Sequence, residues 1–110
     1  MNDVKIMGRI ANDLEIKDLD NGKKVLNLSL AINKKDVEPE YIDCVLWDKI
    51  AEATFENKKK GDILLINGYL KTEKYSKDGQ THKVTKVVAN RVHFDLSRES
   101  NKASQNHDER

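Results

Sequence analysis

At 110 residues the chain can bury one hydrophobic core without disulfide staples and is too short for two ordinary domains. Its composition, 37% hydrophobic and 35% charged with a net charge of +1, suits a small soluble domain with most side chains near its surface, and the charge alone argues neither for nor against a polyanionic partner. No apolar run reaches the length of a membrane span, the opening MNDVKIMGRI lacks the basic start and apolar stretch of a secretory leader, and the single cysteine, Cys44, excludes an internal disulfide, so a cytoplasmic location away from membranes is expected.

The first segment, Val4 to Ile16, mixes apolar and polar residues around Gly8, which marks a bend or bulge in a strand. Asn21-Gly22 predicts a tight turn, because that pair accepts positive φ angles. Leu26, Leu28, Leu30 and Ile32 alternate with Asn27, Ser29, Ala31 and Asn33, the period-two pattern of a half-buried strand. Lys34 to Glu40 reads as a polar loop closed by Pro39. A third strand, about Tyr41 to Trp47, sets Ile42, Cys44 and Leu46 on an apolar face and Tyr41, Asp43, Val45 and Trp47 on the other.

Asp48 is placed to cap a short helix reaching to about Lys58, with Ile50, Ala53 and Thr54 on one side and Gly61 closing it. Two further strands, Asp62 to Tyr75 and Gln80 to Phe94, flank a turn at Asp78-Gly79. After Leu96 no apolar periodicity survives. Residues 1–96 are therefore expected to form one domain, and 97–110 a flexible polar tail. Five strands with one short helix between the third and fourth is the element order of the OB-fold, a mainly-β Greek-key barrel.

Charge is unevenly spread. Between Tyr69 and Arg91, Lys71, Lys74, Lys77, Lys83, Lys86 and Arg91 meet only Glu73 and Asp78, whereas Asp13, Glu15, Asp18 and Asp20 outnumber Lys17 near the start. On the fourth strand Tyr69, Lys71, Glu73 and Tyr75 share a face, so rings and a cation interleave as unpaired bases and phosphates require. Composition by itself favours burial for a lone tryptophan and leaves Tyr41 and Tyr75 undecided.

Catalytic and metal constellations fail on spacing. Asp18-Leu19-Asp20-Asn21-Gly22 lacks the ligands of a calcium loop, and His82, His93 and His107 are scattered. Cys44 sits on the apolar face of its strand and reads as inert core. No catalytic residue, metal or cofactor is expected.

The run YIDCVLWDKIAE from Tyr41 to Glu52 resembles the third strand and helix start of bacterial single-stranded DNA-binding proteins. GYLKTEKYSKDGQ (Gly68 to Gln80) and TKVVANRVHF (Thr85 to Phe94) are similar to their fourth strand with its loop and to their last strand. VKIMGRIANDLEIK and LNLSLAIN fit the first two strands, so the likeness spans about Met1 to Leu96.

That resemblance implies sequence-independent binding and protection of single-stranded DNA in replication, recombination or repair. It implies base stacking by Tyr41, Trp47 and Tyr75, with phosphate contacts from Lys34, Lys35, Lys49, Lys71 and Lys74. It also implies a homo-oligomer, a tetramer by family habit with a dimer left open, working at the nucleoid. Two departures, Asp36 where an aromatic is usual and Glu73 where a basic residue is common, are expected to weaken binding. The near-neutral charge and the missing loop aromatic also keep open a primosomal-type relative that docks proteins and binds DNA weakly. A small OB-fold nuclease is a third reading, disfavoured because Arg9, Arg91, Arg98 and Arg110 lie in separate segments. The family's acidic, apolar-tipped C-terminus has no counterpart in QNHDER, so recruitment of enzyme partners through that tip is not expected.

Overall fold

The computed structural model describes residues 1–94; the predicted tail 97–110 lies outside the described residues. In chain order the elements are β1 (Val4–Ile10), β2 (Ile16–Asp18), β3 (Lys24–Lys34), β4 (Val37–Trp47), α1 (Asp48–Asn57), β5 (Ile63–Lys77) and β6 (Gln80–His93). The five long strands close on themselves in the order β1, β3, β4, β6, β5 and back to β1. All pairings are antiparallel except β4 with β6, which run parallel through Cys44–Val87 and Val45–Val88. This is the OB-fold barrel, with β2 a short addition to the edge of β3.

Alternation decides which side chains enter the barrel. Ile10, Leu26, Leu28, Leu30, Cys44, Leu46, Leu64, Ile66 and Val87 are buried together, and their strand neighbours are exposed or half-buried apart from the buried Val25 and Val88. Ala51 and Thr54 of α1 complete this core, where the helix packs against β3, β4 and β6.

Four local expectations are corrected. The first segment is not one strand: β1 stops at Ile10 because Asn12 takes over its hydrogen bonding, accepting from the Ser29 amide (2.8 Å) and donating toward the Asn27 carbonyl (3.4 Å). The span from Lys34 to Glu40 is not a loop. β3 and β4 remain paired down to Lys34–Val37, and the only turn residues are Lys35 and Asp36, the latter at φ 63°. Two steps on β3, Ile32 to Lys34, are matched by three on β4, Glu40 to Val37. That bulge accommodates Pro39, which has no N–H to give to a ladder.

Asp48 does not cap α1. Trp47 is the N-cap residue without a side-chain bond, and the Asp48 carboxylate accepts from the Lys24 amide at 2.9 Å, with Asp48 itself at φ 50°. Finally, Ala51 rather than Ala53 is the fully buried alanine of the helix.

Beyond Gly68, β5 has left β1 and continues with β6 alone, as a two-stranded arm. Its tip is Asp78-Gly79 at φ 52° and 77°, the two positive angles of a type I′ turn. Asn2 fixes the arm's root by exchanging two 2.8 Å hydrogen bonds with the Leu70 backbone.

Candidate nucleic-acid interface

The outward faces of β4, β5 and β6 merge into one surface. Parity fixes its members: Tyr41, Asp43, Val45 and Trp47 oppose the buried Cys44 and Leu46, while Tyr69, Lys71, Glu73 and Tyr75 oppose the buried Leu64 and Ile66. The parallel step Val45–Val88 and the antiparallel step Tyr69–Val88 then bring Trp47 and Tyr69 to the same depression, whose remaining wall is Lys71, Glu73 and Lys86.

Solvent reaches the rings. Tyr41 is 62% exposed, Trp47 38% and Tyr75 49%, so the burial that composition favours for the lone tryptophan does not occur. Tyr41 and Trp47 are six residues apart on β4, which at about 3.4 Å per residue separates them by roughly 20 Å. Tyr69 and Tyr75 are equally spaced along β5. The rings therefore mark a track from the β3–β4 hairpin across the barrel wall to the arm. At the arm Tyr75 stacks on His82, its partner across the ladder, with centroids 5.3 Å apart and planes inclined by 22°.

The cations divide three ways. Lys71 lies on the outward face directly opposite Lys86, so two ammonium groups flank the depression. Lys34 is held by Glu40, Nζ to Oε2 2.6 Å, and Lys35 is exposed in the adjoining turn. Lys49 is exposed in the first turn of α1. Lys74 stands on the opposite face of the arm from Tyr75, across from Lys83, and is not brought to the aromatic depression. Elsewhere Lys24 is occupied by Asp18, with Glu52 at 3.9 Å; the Asp18 hydrogen bond and charge raise its pKa.

Sequence reasoning alone does not single out Tyr69, Lys86 and His82 as contacts. The parity of Tyr69 with Lys71 and Tyr75 is visible in the sequence, but its nearness to Trp47 requires the parallel β4–β6 register. His82 is legible only once the tight turn at Asp78-Gly79 sets the pairing that puts it across from Tyr75.

Reactive groups are sparse. Cys44 is 1% exposed; burial pushes its thiol up to about 12 and its S–H donates to the Ile42 carbonyl. No cluster of three or more His, Cys, Asp or Glu able to hold a metal occurs among the described residues. No helix among them is long and apolar enough to cross a membrane.

Residues 1–95 match the model of the "Single-strand binding protein family". "Single-stranded DNA-binding protein 1" of Streptococcus pyogenes serotype M6 is 38% identical over 93 residues, covering 79% of this chain and 71% of that protein. "Single-stranded DNA-binding protein B" of Bacillus subtilis is 31% identical over 100 residues, covering 84% of this chain and 88% of that protein. "Single-stranded DNA-binding protein" of Oceanobacillus iheyensis is 33% identical over 101 residues, covering 86% and 63%.

Proposed function

The chain belongs to the single-strand binding protein family, and we propose that it holds single-stranded DNA, with little sequence preference, along the outward faces of β4, β5 and β6. The observation that carries this reading is the meeting of Trp47 and Tyr69 with Lys71 and Lys86 in one depression. Rings from two different strands can receive base faces there, while the facing lysines neutralise the backbone that links those bases. Tyr41 and Tyr75 extend the stacking track in both directions, and Lys35 and Lys49 supply further exposed charge. The activity is binding without turnover, as the family match implies. A chain that keeps strands unpaired serves replication, recombination or repair, and the nucleoid is its workplace.

Homo-oligomeric assembly belongs to the same proposal. β1 pairs with β5 from Val4 to Arg9 but with β3 only at Arg9 and Ile10, which leaves one edge of Val4–Gly8 without a partner among the described residues. An unpaired strand edge is a template for a second copy. Sedimentation equilibrium reads the state directly, and a monomer at micromolar concentration refutes this part.

Titration with oligo(dT) while following Trp47 emission tests the binding face. Strong, saturable quenching is expected. Binding without any change in emission moves the site elsewhere, and absence of binding favours a protein-docking role.

A further inference from the structure

Glu73 is the one acidic side chain lining the depression that Trp47, Tyr69, Lys71 and Lys86 enclose. Its carboxylate makes no hydrogen bond or ion pair with any described residue; the ion pairs among them join Lys24 to Asp18 and Glu52, and Lys34 to Glu40. Across the ladder it faces Val84, which offers no donor. A free carboxylate therefore stands in a cleft suited to a polyanion, and it rejects phosphate oxygens from its own corner. The strand must turn its backbone toward Lys71 and Lys86 and present something else to Glu73.

A base lying flat on Trp47 or Tyr69 presents its edge sideways, and a carboxylate can only accept. Cytosine carries an exocyclic N4 amine, a donor that Glu and Asp side chains read in nucleic-acid recognition. Thymine and uracil carry the O4 acceptor at that position, and their N3–H is flanked by two carbonyl oxygens that repel a carboxylate. The rings are of one size, so stacking differs little and the edge decides. We infer that Glu73 is a specificity-determining residue that makes the aromatic cleft select cytosine over uracil and thymine. This rests on the proposed binding face, and it assigns the acidic residue of the depression a role other than weakening the site.

The test is a titration of wild type, Glu73→Gln and Glu73→Ala with oligo(dC), oligo(dU) and oligo(dT) of equal length, at one salt concentration and neutral pH. Oligo(dU) removes the thymine methyl from the comparison. Wild type is expected to favour oligo(dC) over oligo(dU) on the order of three- to tenfold more than Glu73→Ala does. Glu73→Gln, whose amide both donates and accepts, brings the ratio down toward that of Glu73→Ala. Both variants gain affinity for oligo(dU) and oligo(dT), because the repulsion of phosphate is relieved, whereas for oligo(dC) the lost N4 contact offsets that gain. An equal dC-to-dU ratio in all three proteins overturns the inference and reduces Glu73 to a counter-charge for its lysine neighbours, with the binding face intact. Failure of all three oligonucleotides to quench Trp47 sinks the binding face, and the inference with it.

Discussion

Individual side chains on this barrel separate by parity into those that hold it together and those that can hold a ligand. Trp47 and Tyr75 have little packing duty, being 38% and 49% exposed. Trp47→Ala and Tyr75→Ala are therefore expected each to weaken oligo(dT) binding by about 1–3 kcal/mol, the worth of one stacked base, while leaving the unfolding midpoint nearly unchanged. Anisotropy of a labelled oligonucleotide measures this without the tryptophan, and unchanged affinity in both variants contradicts base stacking. His82→Ala is expected to cost less than Tyr75→Ala, because it removes a neighbour that holds the tyrosine ring and leaves the ring itself. Cys44 illustrates the opposite class. Its buried thiol keeps its proton up to about 12, whereas an unfolded thiol ionises near the ordinary 9.0, so the native state binds the proton more tightly. Linkage then gives a contribution fully present below pH 9.0 and progressively lost as pH rises toward 12. Urea unfolding at about pH 8 and about pH 10.5 should show a larger fall in stability for wild type than for Cys44→Ala, and equal falls would refute the linkage.

Among the elements, the β5–β6 arm carries Tyr75 and much of the proposed binding face on a two-stranded ladder. Below Gly68 both strands are locked into the barrel; above it β5 pairs only with β6, which itself stays tied to β4 through Val87 and Val88, and Asn2 holds Leu70. Gly68 sits at the register shift where this change occurs, and a Cβ there would overlap the Val88 carbonyl oxygen. Gly68→Ala is expected to destabilise the domain by about 1–3 kcal/mol, read as a lower urea midpoint, because the obstructing atom is backbone and cannot swing aside. The arm also places Lys71 directly opposite Lys86 on one face and Lys74 opposite Lys83 on the other. Like charges facing across a ladder are destabilising by up to about 1 kcal/mol. Lys86→Gln should accordingly raise stability slightly while weakening oligo(dT) binding; a variant that loses neither repulsion nor affinity removes Lys86 from the phosphate path. Much at the scale of elements is legible in the sequence. Strict alternation through Leu26–Ile32 and Tyr41–Trp47 announces both the strands and their outward faces, and Asp78-Gly79 announces the turn. The opposite parity of Lys74 and Tyr75 is equally visible, and family likeness alone groups them. The β3–β4 hairpin is not legible, because Val37-Glu38-Pro39-Glu40 has no buried face to impose a period. Its pairing is extended by the neighbouring strand and tolerates proline through a bulge.

At the scale of the whole molecule, a net charge of +1 on a chain that binds a polyanion is reconciled by segregation. Acidic residues gather around β2, where Asp18 also engages Lys24, while the depression between β4 and the arm keeps Lys71 and Lys86 without carboxylate bonds among the described residues. Net charge averages over both regions and hides the arrangement, since charge in sequence carries no record of which strands become neighbours. Closure of the barrel supplies that record by setting β6 between β4 and β5. The consequence is measurable as salt dependence. Each phosphate neutralised by a lysine releases condensed counterions, contributing roughly 0.7 to the slope of log affinity against log salt for a single strand. Lys71→Ala removes one such contact and is expected to make the slope shallower by about that amount. Tyr41→Ala removes a ring and no charge, so it should lower affinity at every salt concentration and leave the slope nearly parallel to that of wild type. The two substitutions thus separate the electrostatic from the stacking contribution on one surface. A slope indifferent to Lys71 would show that the strand's phosphates run elsewhere, and a slope altered by Tyr41→Ala would show that ring and cation positions are coupled through the bound strand rather than independent.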